Sequence, residues 1–372
     1  MRIGIPKEIK MGEFRVGMTP ASVREAVTHG HHVLVETQAG VGIGASDQDY
    51  ETVGASIAPD AASVWQQAEL VIKVKEPQAV ERAELRPGQI LFTYLHLAPD
   101  VDQTNDLIES GAVCIAYETV TSPHGDLPLL HPMSEVAGRM SIQVAAHALE
   151  RETGGRGVLL GGVPGVSPAK VTVIGGGTVG ANATLMAIGT GAEVVVLDKS
   201  NETLRDLNAR FGGRIKTIYS NTETLEEHVL SADVVIGGVL IPGAAAPKLV
   251  SEKMIKAMRP GSVVVDVAID QGGCIETAHG TTHAEPTYVL HDVVHYAVTN
   301  MPGAVPHTST YALNNATLPF ILNVADKGVR QALSDDAHLR GGLNVWKGKV
   351  TCRAVAEAQG LDFTAPKDVL GA

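Results

Sequence analysis

The stretch VTVIGGGTVG (residues 171–180), followed by VVVLD (194–198), decides the fold of this chain. The run of Val, Thr and Ile predicts a buried strand, and three glycines spaced G-x-G-x-x-G predict a tight turn into a helix. A second apolar strand then ends in an aspartate, Asp198. This order of strand, glycine turn, helix, strand and acidic residue is typical of a dinucleotide-binding β-α-β unit.

Each residue of this motif has a physical role. Gly175 allows the tight turn, Gly177 lets the backbone approach a pyrophosphate, and Gly180 lets the helix pack closely on the sheet. The first N–H groups of the helix then face the phosphates. Asp198 is expected to accept hydrogen bonds from the adenosine ribose, and its charge disfavours a 2′-phosphate, so NAD is predicted rather than NADP. The alternative is a glycine-rich turn that binds nothing.

Short apolar runs alternate with helical patterns on both sides of the motif, which favours parallel sheets covered by helices. Strands are predicted, before and after it, at 2–6, 32–37, 69–76, 90–96 and 112–120, and at 169–175, 192–198, 214–220, 232–238, 262–268 and 288–298. From residue 307 the pattern is helical, with a helix over 310–333 broken at Pro319 and no strand of its own. We therefore predict an α/β protein with two Rossmann-like, doubly wound parallel-sheet domains and an active-site cleft between them.

The helical C-terminal region needs a sheet to pack on, and we expect it to return to the first domain. The predicted substrate-binding domain is therefore discontinuous, residues 1–130 with 307–372, and residues 131–306 form the NAD-binding Rossmann domain. The turn-rich stretch TSPHGDLPLLHP (121–132) marks the first boundary.

Composition excludes several classes of protein. There are 29 Lys and Arg against 41 Asp and Glu, a formal net charge of −12, which argues against nucleic-acid binding. The N-terminus lacks the apolar core of a signal peptide, and no apolar run is long enough for a membrane span. The three cysteines lack metal or disulfide spacing, so buried thiols in a reducing compartment are expected. His29, His31 and His32 are assigned to a helix-to-strand turn.

Ligands of open α/β sheets bind at the carboxyl ends of the strands, so the residues there are candidates. In the second domain these segments are GGVL (237–240), VAID (267–270) and VTNMPG (298–303), with Ser220 placed near the adenine. Plain turn chemistry is the alternative for each residue.

In the first domain the polar residues at strand ends are few: Arg15, Lys73, Lys75, His96 and Glu118. Arg and Lys suit a substrate carboxylate, since Arg binds it with two parallel hydrogen bonds. Alternation places both lysines on one face of a strand, and we expect Lys73 to extend to solvent. His96 and Asp270 offer two groups for proton transfer, although a lone histidine is more often structural.

These residues lie in segments that resemble the L-alanine dehydrogenase family over essentially the whole chain. The segments are MRIGIPKEIKMGEFRVGMTP (1–20), VIKVKEP (71–77), LFTYLHLAPD (91–100), HPMSEVAGRMS (131–141), GVLLGGVPGV (157–166), GGGTVG (175–180), VVVDVAIDQGG (263–273) and NMPGAVPHTST (300–310). The resemblance implies reversible NAD-dependent oxidative deamination of L-alanine to pyruvate and ammonium, in L-alanine catabolism. It also implies a cytoplasmic homohexamer.

The resemblance assigns roles residue by residue. Arg15 and Lys75 match the substrate-binding residues, and His96 and Asp270 match the proposed acid/base pair, without deciding which is the principal group. The positions matching contacts to NAD are Ser134, Thr178, Val179, Asp198, Ser220, Val239, Leu240, Val267, Asn300 and Met301, beside Gly175, Gly177 and Gly180. Two positions, Thr203 and His279, depart from the family's usual basic residues.

No metal site is expected. The metal described for some relatives would use Glu118 and a histidine at position 327, where this chain has Lys327. Three other readings stay open: the NAD(H)-binding component of proton-translocating transhydrogenase, a lysine-forming saccharopine dehydrogenase, and a catalytically inactive NAD sensor. Around the position of Asp270, the sequence of the transhydrogenase component is similar to Ala-Gln-Asn instead.

Overall fold

The structure is a computed structural model that describes residues 1–239 and 246–371. The chain divides into two compact units. Unit 1 consists of Met1–Met133 and Gly303–Ala372, and unit 2 of Ser134–Pro302. The predicted boundaries, after residues 130 and 306, lie a few residues from these limits.

The first segment of unit 1 alternates strands and helices. Its elements are β1 (Arg2–Ile5), α1 (Pro20–Thr28), β2 (His32–Glu36), α2 (Asp47–Thr52), β3 (Ser56–Ala58), α3 (Ala61–Gln67), β4 (Leu70–Ile72), α4 (Ala79–Arg82), β5 (Ile90–Thr93), α5 (Val101–Glu109) and β6 (Val113–Ala116). Helix α1 begins with Pro20 in the first turn and with the Thr19 hydroxyl accepting the N–H of Ser22 at 3.3 Å. Strand β3 was not predicted, because it has only three residues.

Unit 2 carries the glycine motif. The next elements are α6 (His131–Ala148), β7 (Lys170–Ile174), α7 (Thr178–Gly189), β8 (Glu193–Asp198), α8 (Asn201–Phe211), β9 (Ile215–Tyr219), α9 (Thr222–Ser231), β10 (Val234–Gly237), α10 (Glu252–Ala257), β11 (Val263–Asp266), β12 (Thr287–Leu290) and β13 (Val293–Tyr296). Helix α6 starts three residues before unit 2 does.

The last segment returns to unit 1. It contains α11 (Pro306–Lys327), α12 (Val329–Asp335), α13 (Ala337–Gly341), β14 (Leu343–Trp346), β15 (Lys349–Val350), α14 (Arg353–Gln359) and α15 (Pro366–Leu370). The expectation that this region has no strands was wrong. β14 pairs antiparallel with β6 and with β15, so a C-terminal hairpin extends the sheet.

Both sheets have the doubly wound strand order that was predicted. The order in unit 1 is β15-β14-β6-β5-β4-β1-β2-β3, and in unit 2 it is β12-β13-β11-β10-β7-β8-β9. Apart from β12, β14 and β15, the strands run parallel. The order reverses between β1 and β4 in unit 1 and between β7 and β10 in unit 2. Such switch points are where ligands bind in open α/β sheets.

Residues 288–298 do not form the single parallel strand that was predicted. β12 and β13 make an antiparallel hairpin, with Leu290 opposite Val293. The two residues between them, His291 and Asp292, are both left-handed, at φ 52° and 59°. Two consecutive left-handed residues make the tight turn that a two-residue hairpin needs, and Asp tolerates this region better than most residues.

The prediction that Pro319 breaks the C-terminal helix was wrong. Helix α11 runs through this proline for 22 residues and ends at Lys327, where it is followed by Gly328 with φ +78°. A proline removes one amide hydrogen bond, but the buried side chains on either side, Leu313 and Ile321 among them, hold the helix together by packing.

Apolar side chains from strands and flanking helices form the core of each unit. Trp65, Leu91 and Val345 are fully buried in unit 1, and Val235 and Ile255 in unit 2. Cys114, Cys274 and Cys352 are free, and burial raises the pKa of Cys114 to about 12. Among the described residues, no helix combines the length and the apolar character needed to span a bilayer.

Candidate active site

The glycine turn between β7 and α7 has the geometry that the motif predicts. Gly175 has φ +92°, a backbone conformation that residues other than glycine rarely adopt. A Cβ on Gly180 would lie 1.8 Å from the carbonyl oxygen of Gly175, so only glycine fits there. At Gly177, a Cβ would have no heavy atom of the described residues within 4 Å. The backbone at Gly177 is therefore open to a ligand.

Asp198, at the end of β8, is held by two backbone amides. Its Oδ2 accepts the N–H of Gly176 at 2.7 Å, and its Oδ1 accepts the N–H of Ser200 at 2.7 Å. Each carboxylate oxygen can accept more than one hydrogen bond, so both retain capacity for a ligand hydroxyl. The first contact ties Asp198 directly to the glycine turn.

A cavity of about 420 Å³ lies at this sheet edge of unit 2. Eight of the predicted cofactor residues line it: Ser134, Gly175, Gly177, Thr178, Val179, Asp198, Ser220 and Val239. Thr203, Lys199 and Leu249 also line it, and of these the sequence analysis had singled out only Thr203. A cavity with a helix N-terminus, an open glycine backbone and a carboxylate fits the adenosine and pyrophosphate of a dinucleotide.

The remaining predicted cofactor residues lie at other strand ends of unit 2. Val267 follows β11 and donates its N–H to the carbonyl of Gly237 at 2.9 Å. Asn300 is left-handed, at φ 62°, and its N–H is 3.4 Å from Oδ2 of Asp270. Met301 is buried. Leu240 lies outside the described residues.

The loop that carries Asp270 is organised by a buried carboxylate. Asp266, at the end of β11, accepts backbone N–H groups from Ala268, Cys274 and Ile275 at 3.2, 3.3 and 2.9 Å. Burial raises the pKa of Asp266, and these hydrogen bonds oppose the rise. Asp270 itself is exposed, in a short 3-10 helix at Ile269–Gln271. Asp266 thus holds the loop on both sides of Asp270, at Ala268 before it and at Cys274 and Ile275 after it.

In unit 1 the predicted substrate residues follow β1 and β4, the two strands at the switch point. Arg15 is only 2% exposed and forms a two-pronged ion pair with Glu13, Nε to Oε1 at 2.6 Å and Nη2 to Oε2 at 2.5 Å. Burial works to lower the pKa of Arg15, but the hydrogen bonds and charge of Glu13 outweigh it and raise that pKa. Its Nη1 donates to Sδ of Met133 at 3.0 Å.

The expectation that Lys73 extends to solvent was wrong. Strand β4 ends at Ile72, and Lys73 is fully buried between two carboxylates, with Nζ 2.9 Å from Glu8 and 2.8 Å from Glu81. Burial alone would lower the pKa of Lys73, but the two glutamates raise it. The ammonium is therefore a charged structural group, because a buried charge is stable only when paired.

Glu8 links this ion pair to Lys75. Its Oε1 accepts the backbone N–H of Val74 at 2.6 Å and that of Lys75 at 3.3 Å. The backbone of Lys75 is thus held by the same carboxylate that neutralises Lys73.

His96 follows β5 and is exposed, with φ +51°. Glu118, just after β6, accepts its backbone N–H at 2.6 Å and that of Leu95 at 3.1 Å. The imidazole ring stacks on Tyr94, with ring centroids 5.8 Å apart and an interplanar angle of 15°. The imidazole is accessible while its backbone is fixed.

Sequence reasoning missed the carboxylates that hold these groups. Glu8 and Glu13 lie in the same loop as Arg15, and that density of acidic residues beside a buried cation was the available signal. Asp266 had a signal too, since it ends an apolar strand. Glu118 was noted as a strand-end residue and as a possible metal ligand, but not as the acceptor that holds the backbone of His96.

Comparison with known proteins identifies the family. The family model for the "Alanine dehydrogenase/PNT, N-terminal domain" matches residues 4–137, and that for the corresponding C-terminal domain matches residues 141–353. The chain belongs to the alanine dehydrogenase/PNT family. The family is NAD-dependent, and its NAD-binding region is the C-terminal domain.

Members of the alanine dehydrogenase/PNT family with high identity match the whole chain. A protein named alanine dehydrogenase from Halomonas elongata is 59% identical over 371 residues, covering 100% of both chains. Another from Mycolicibacterium smegmatis is 54% identical over 364 residues, covering 98% of both. The resemblance drawn from the sequence is therefore confirmed.

Two solved structures of the family differ in their likeness to this chain. An L-alanine dehydrogenase matches with a TM-score of 0.94 and 52% identity, covering 97% of this chain and 99% of that one. A transhydrogenase from Sinorhizobium meliloti matches with a TM-score of 0.82 and 26% identity, covering 95% and 100%. The fold is common to both, and identity is higher to the dehydrogenase.

Proposed function

We propose that this protein catalyses the reversible NAD-dependent oxidative deamination of L-alanine to pyruvate and ammonium. It is an NAD-dependent amino-acid oxidoreductase by family, with full-length relatives named alanine dehydrogenase. The observation that carries the proposal is the unit 2 cavity, in which the open Gly177 backbone and the Asp198 carboxylate meet. Two cationic side chains of unit 1, Arg15 and Lys75, are proposed to bind the substrate.

The cofactor contacts divide by position. Ser134, Thr178, Val179, Asp198, Ser220 and Val239 line the cavity and are proposed to hold the adenosine and pyrophosphate half. The strand-end residues Val267, Asn300 and Met301, with Leu240, are proposed for the nicotinamide half. Bound NAD would supply the acceptor for the hydride from alanine Cα.

Arg15 and Lys75 are proposed to bind the substrate carboxylate and carbonyl. Glu13 already orients the Arg15 guanidinium, while Nη1 donates to a thioether sulfur, which is a weak acceptor. A substrate carboxylate is a much stronger acceptor, so we expect it to replace that sulfur contact. Glu8 restrains the backbone of Lys75, which limits the entropy lost when its ammonium binds substrate.

His96 and Asp270 are proposed to handle protons. Loss of hydride from neutral alanine leaves an iminium, which water must attack, and the resulting carbinolamine must lose ammonia to give pyruvate. A base removes one proton from the attacking water and returns it to the nitrogen. As the C–N bond breaks and the carbonyl forms, the hydroxyl proton is removed as well and ends on the released ammonia, which leaves as ammonium. Both residues are exposed, and His96 or Asp270 activates the water.

The test is an NADH absorbance assay with a panel of amino acids. Activity confined to L-alanine supports the proposal, together with NADH consumption when pyruvate and ammonium are supplied. Activity with saccharopine would reassign the substrate. If no amino acid yields NADH but hydride exchanges with an NADP-binding partner, the transhydrogenase component is the correct function.

The same proposal includes three further properties of the protein: it assembles as a homohexamer, it is cytoplasmic, and it acts in L-alanine catabolism. Their support is the family membership alone. Light scattering of the purified full chain measures the assembled mass, and fractionation of cells that express it tests the location. A monomer in solution would contradict the proposed hexamer without affecting the proposed reaction.

A further inference from the structure

Three side chains of unit 1 that no proposed step uses converge on one point. His29 caps the end of α1, His31 precedes β2, and Asp326 lies in the last turn of α11. Nδ1 of His29 is 3.0 Å from Oδ2 of Asp326, and Nε2 of His31 is 2.7 Å from Oδ1. The donor atoms of all three lie within 4.8 Å of one another.

These separations are close to those of a metal's first coordination shell. Zinc binds imidazole nitrogen and carboxylate oxygen at about 2.0–2.2 Å, so tetrahedral ligand atoms lie about 3.3–3.6 Å apart. A bound zinc would need the two imidazole–carboxylate separations to widen from 3.0 and 2.7 Å to that spacing. Two imidazoles favour zinc, cobalt or nickel over magnesium and calcium, which prefer all-oxygen sites.

The two histidines are held in place by other contacts in the absence of a metal ion. The backbone N–H of His29 donates to Glu25 and that of His31 to Ala26, each at 3.0 Å. The His31 side chain is only 7% exposed, and its Nδ1 is 3.3 Å from the amino group of Met1, so Nε2 is the nitrogen that faces Asp326.

The point of convergence is also accessible. The side chains of His29 and Asp326 are 40% and 39% exposed, which leaves an entry path and room for a water as fourth ligand. The adjacent ammonium of Lys327 is paired with Asp335 at 2.9 Å. The negative charge of Asp326 therefore faces the two imidazoles.

We propose that His29, His31 and Asp326 form a binding site for a divalent transition metal of the zinc class, separate from the proposed active site. The ligands come from both segments of the discontinuous unit 1, residues 1–133 and 303–372. A bound ion therefore clips the α1–β2 turn to helix α11 and stabilises the folded unit, because it binds only when both segments are in place.

The experiment uses the full chain, freed of metal with EDTA, and zinc titrated in a calorimeter. Wild-type protein should bind one zinc per chain. His29→Ala and Asp326→Asn should each weaken binding by at least about tenfold, since even outer-sphere substitutions cost 10–100-fold. His32→Ala, which removes an exposed neighbouring imidazole outside the cluster, should bind as wild type does.

The two ligand variants change partly exposed side chains, so both are expected to fold, and circular dichroism checks this. Cobalt is the second probe, because tetrahedral coordination gives it intense visible absorption that the wild type and His32→Ala should show. The proposal is overturned if the wild type binds no zinc, or if its affinity is equal in all four proteins. In either case the cluster is an ion pair and nothing more.

Discussion

The carboxylate of Glu118 accepts the backbone N–H of His96 at 2.6 Å, while His96 holds a left-handed φ of 51°. A left-handed histidine is strained, and strain persists only where the surroundings impose it. Glu118 comes from the neighbouring strand end, so one side chain fixes the direction in which the proposed acid/base group leaves its strand.

Glu118→Ala should therefore lower kcat by about 100-fold, the loss expected when a catalytic group is misplaced by about 1 Å. Glu118→Gln keeps an oxygen acceptor and should lose less. Affinity for NAD, measured by fluorescence titration, should not change, because Glu118 lies in unit 1. Glu109→Gln, an exposed change in the same unit, is the control. Equal kcat in Glu118→Ala and wild type would contradict the positioning role.

Lys75→Ala should depress turnover by at least about 100-fold, since it removes a charge proposed to bind the substrate. NAD affinity should be spared. Steady-state kinetics with L-alanine and a separate NAD titration measure the two effects. Lys349→Ala, on the exposed side of β15, should behave as wild type. Retained turnover would remove Lys75 from the mechanism.

Lys73→Met should destabilise unit 1 by about 3–5 kcal/mol, because it leaves Glu8 and Glu81 buried without their cation. Urea unfolding followed by circular dichroism measures the loss. Lys327→Met breaks a half-exposed pair with Asp335 and should cost less than about 1 kcal/mol. A similar small loss in both variants would show that the buried pair contributes little.

Gly177→Ala and Gly180→Ala separate ligand binding from folding. An alanine Cβ at position 180 meets the Gly175 carbonyl, so that variant should be poorly folded. At position 177 the Cβ enters open space, so Gly177→Ala should melt like wild type but bind NAD at least about tenfold more weakly, since the added methyl blocks the pyrophosphate. Normal NAD affinity in Gly177→Ala would place the pyrophosphate elsewhere.

Unit 2 should lose stability in mild acid through His295. Burial lowers the pKa of this histidine below 6.5, so the unfolded chain binds the proton more readily than the folded one. Stability is then complete above about pH 6.5 and falls as the pH drops below that value towards the lowered pKa.

His295→Gln should flatten this loss below about pH 6.5, as measured by urea unfolding at a series of pH values. His147→Gln, a well-exposed change on α6, should keep the wild-type slope. An unchanged slope in His295→Gln would show that other groups cause the acid sensitivity.

Local signals predicted a large part of this molecule. The turn at Gly175 and the end of β8 at Asp198 depend on residues close together in the chain, so their spacing alone decides the geometry. The doubly wound order followed because strands and helices alternate regularly. Eight of the residues predicted to contact the cofactor, from the motif, from strand ends and from family resemblance, line one cavity of unit 2.

The structure differs from prediction where distant residues decide. Nothing near Lys73 reveals that Glu8 will neutralise it from 65 residues away. The hairpin at His291 looks like one apolar strand, because the turn has only two residues. Strands β14 and β15 are too short to show alternation, and they become strands because β14 pairs with β6 and β15 pairs with β14.

The hairpin β14–β15 also fixes when unit 1 can be completed on the ribosome. The edge of β6 stays unpaired until residues 343–350 have been made, which is after all seven strands of unit 2 have been synthesised. A nascent chain thus carries an open sheet edge throughout the synthesis of the inserted domain, and a segment made after that domain closes a sheet begun before it.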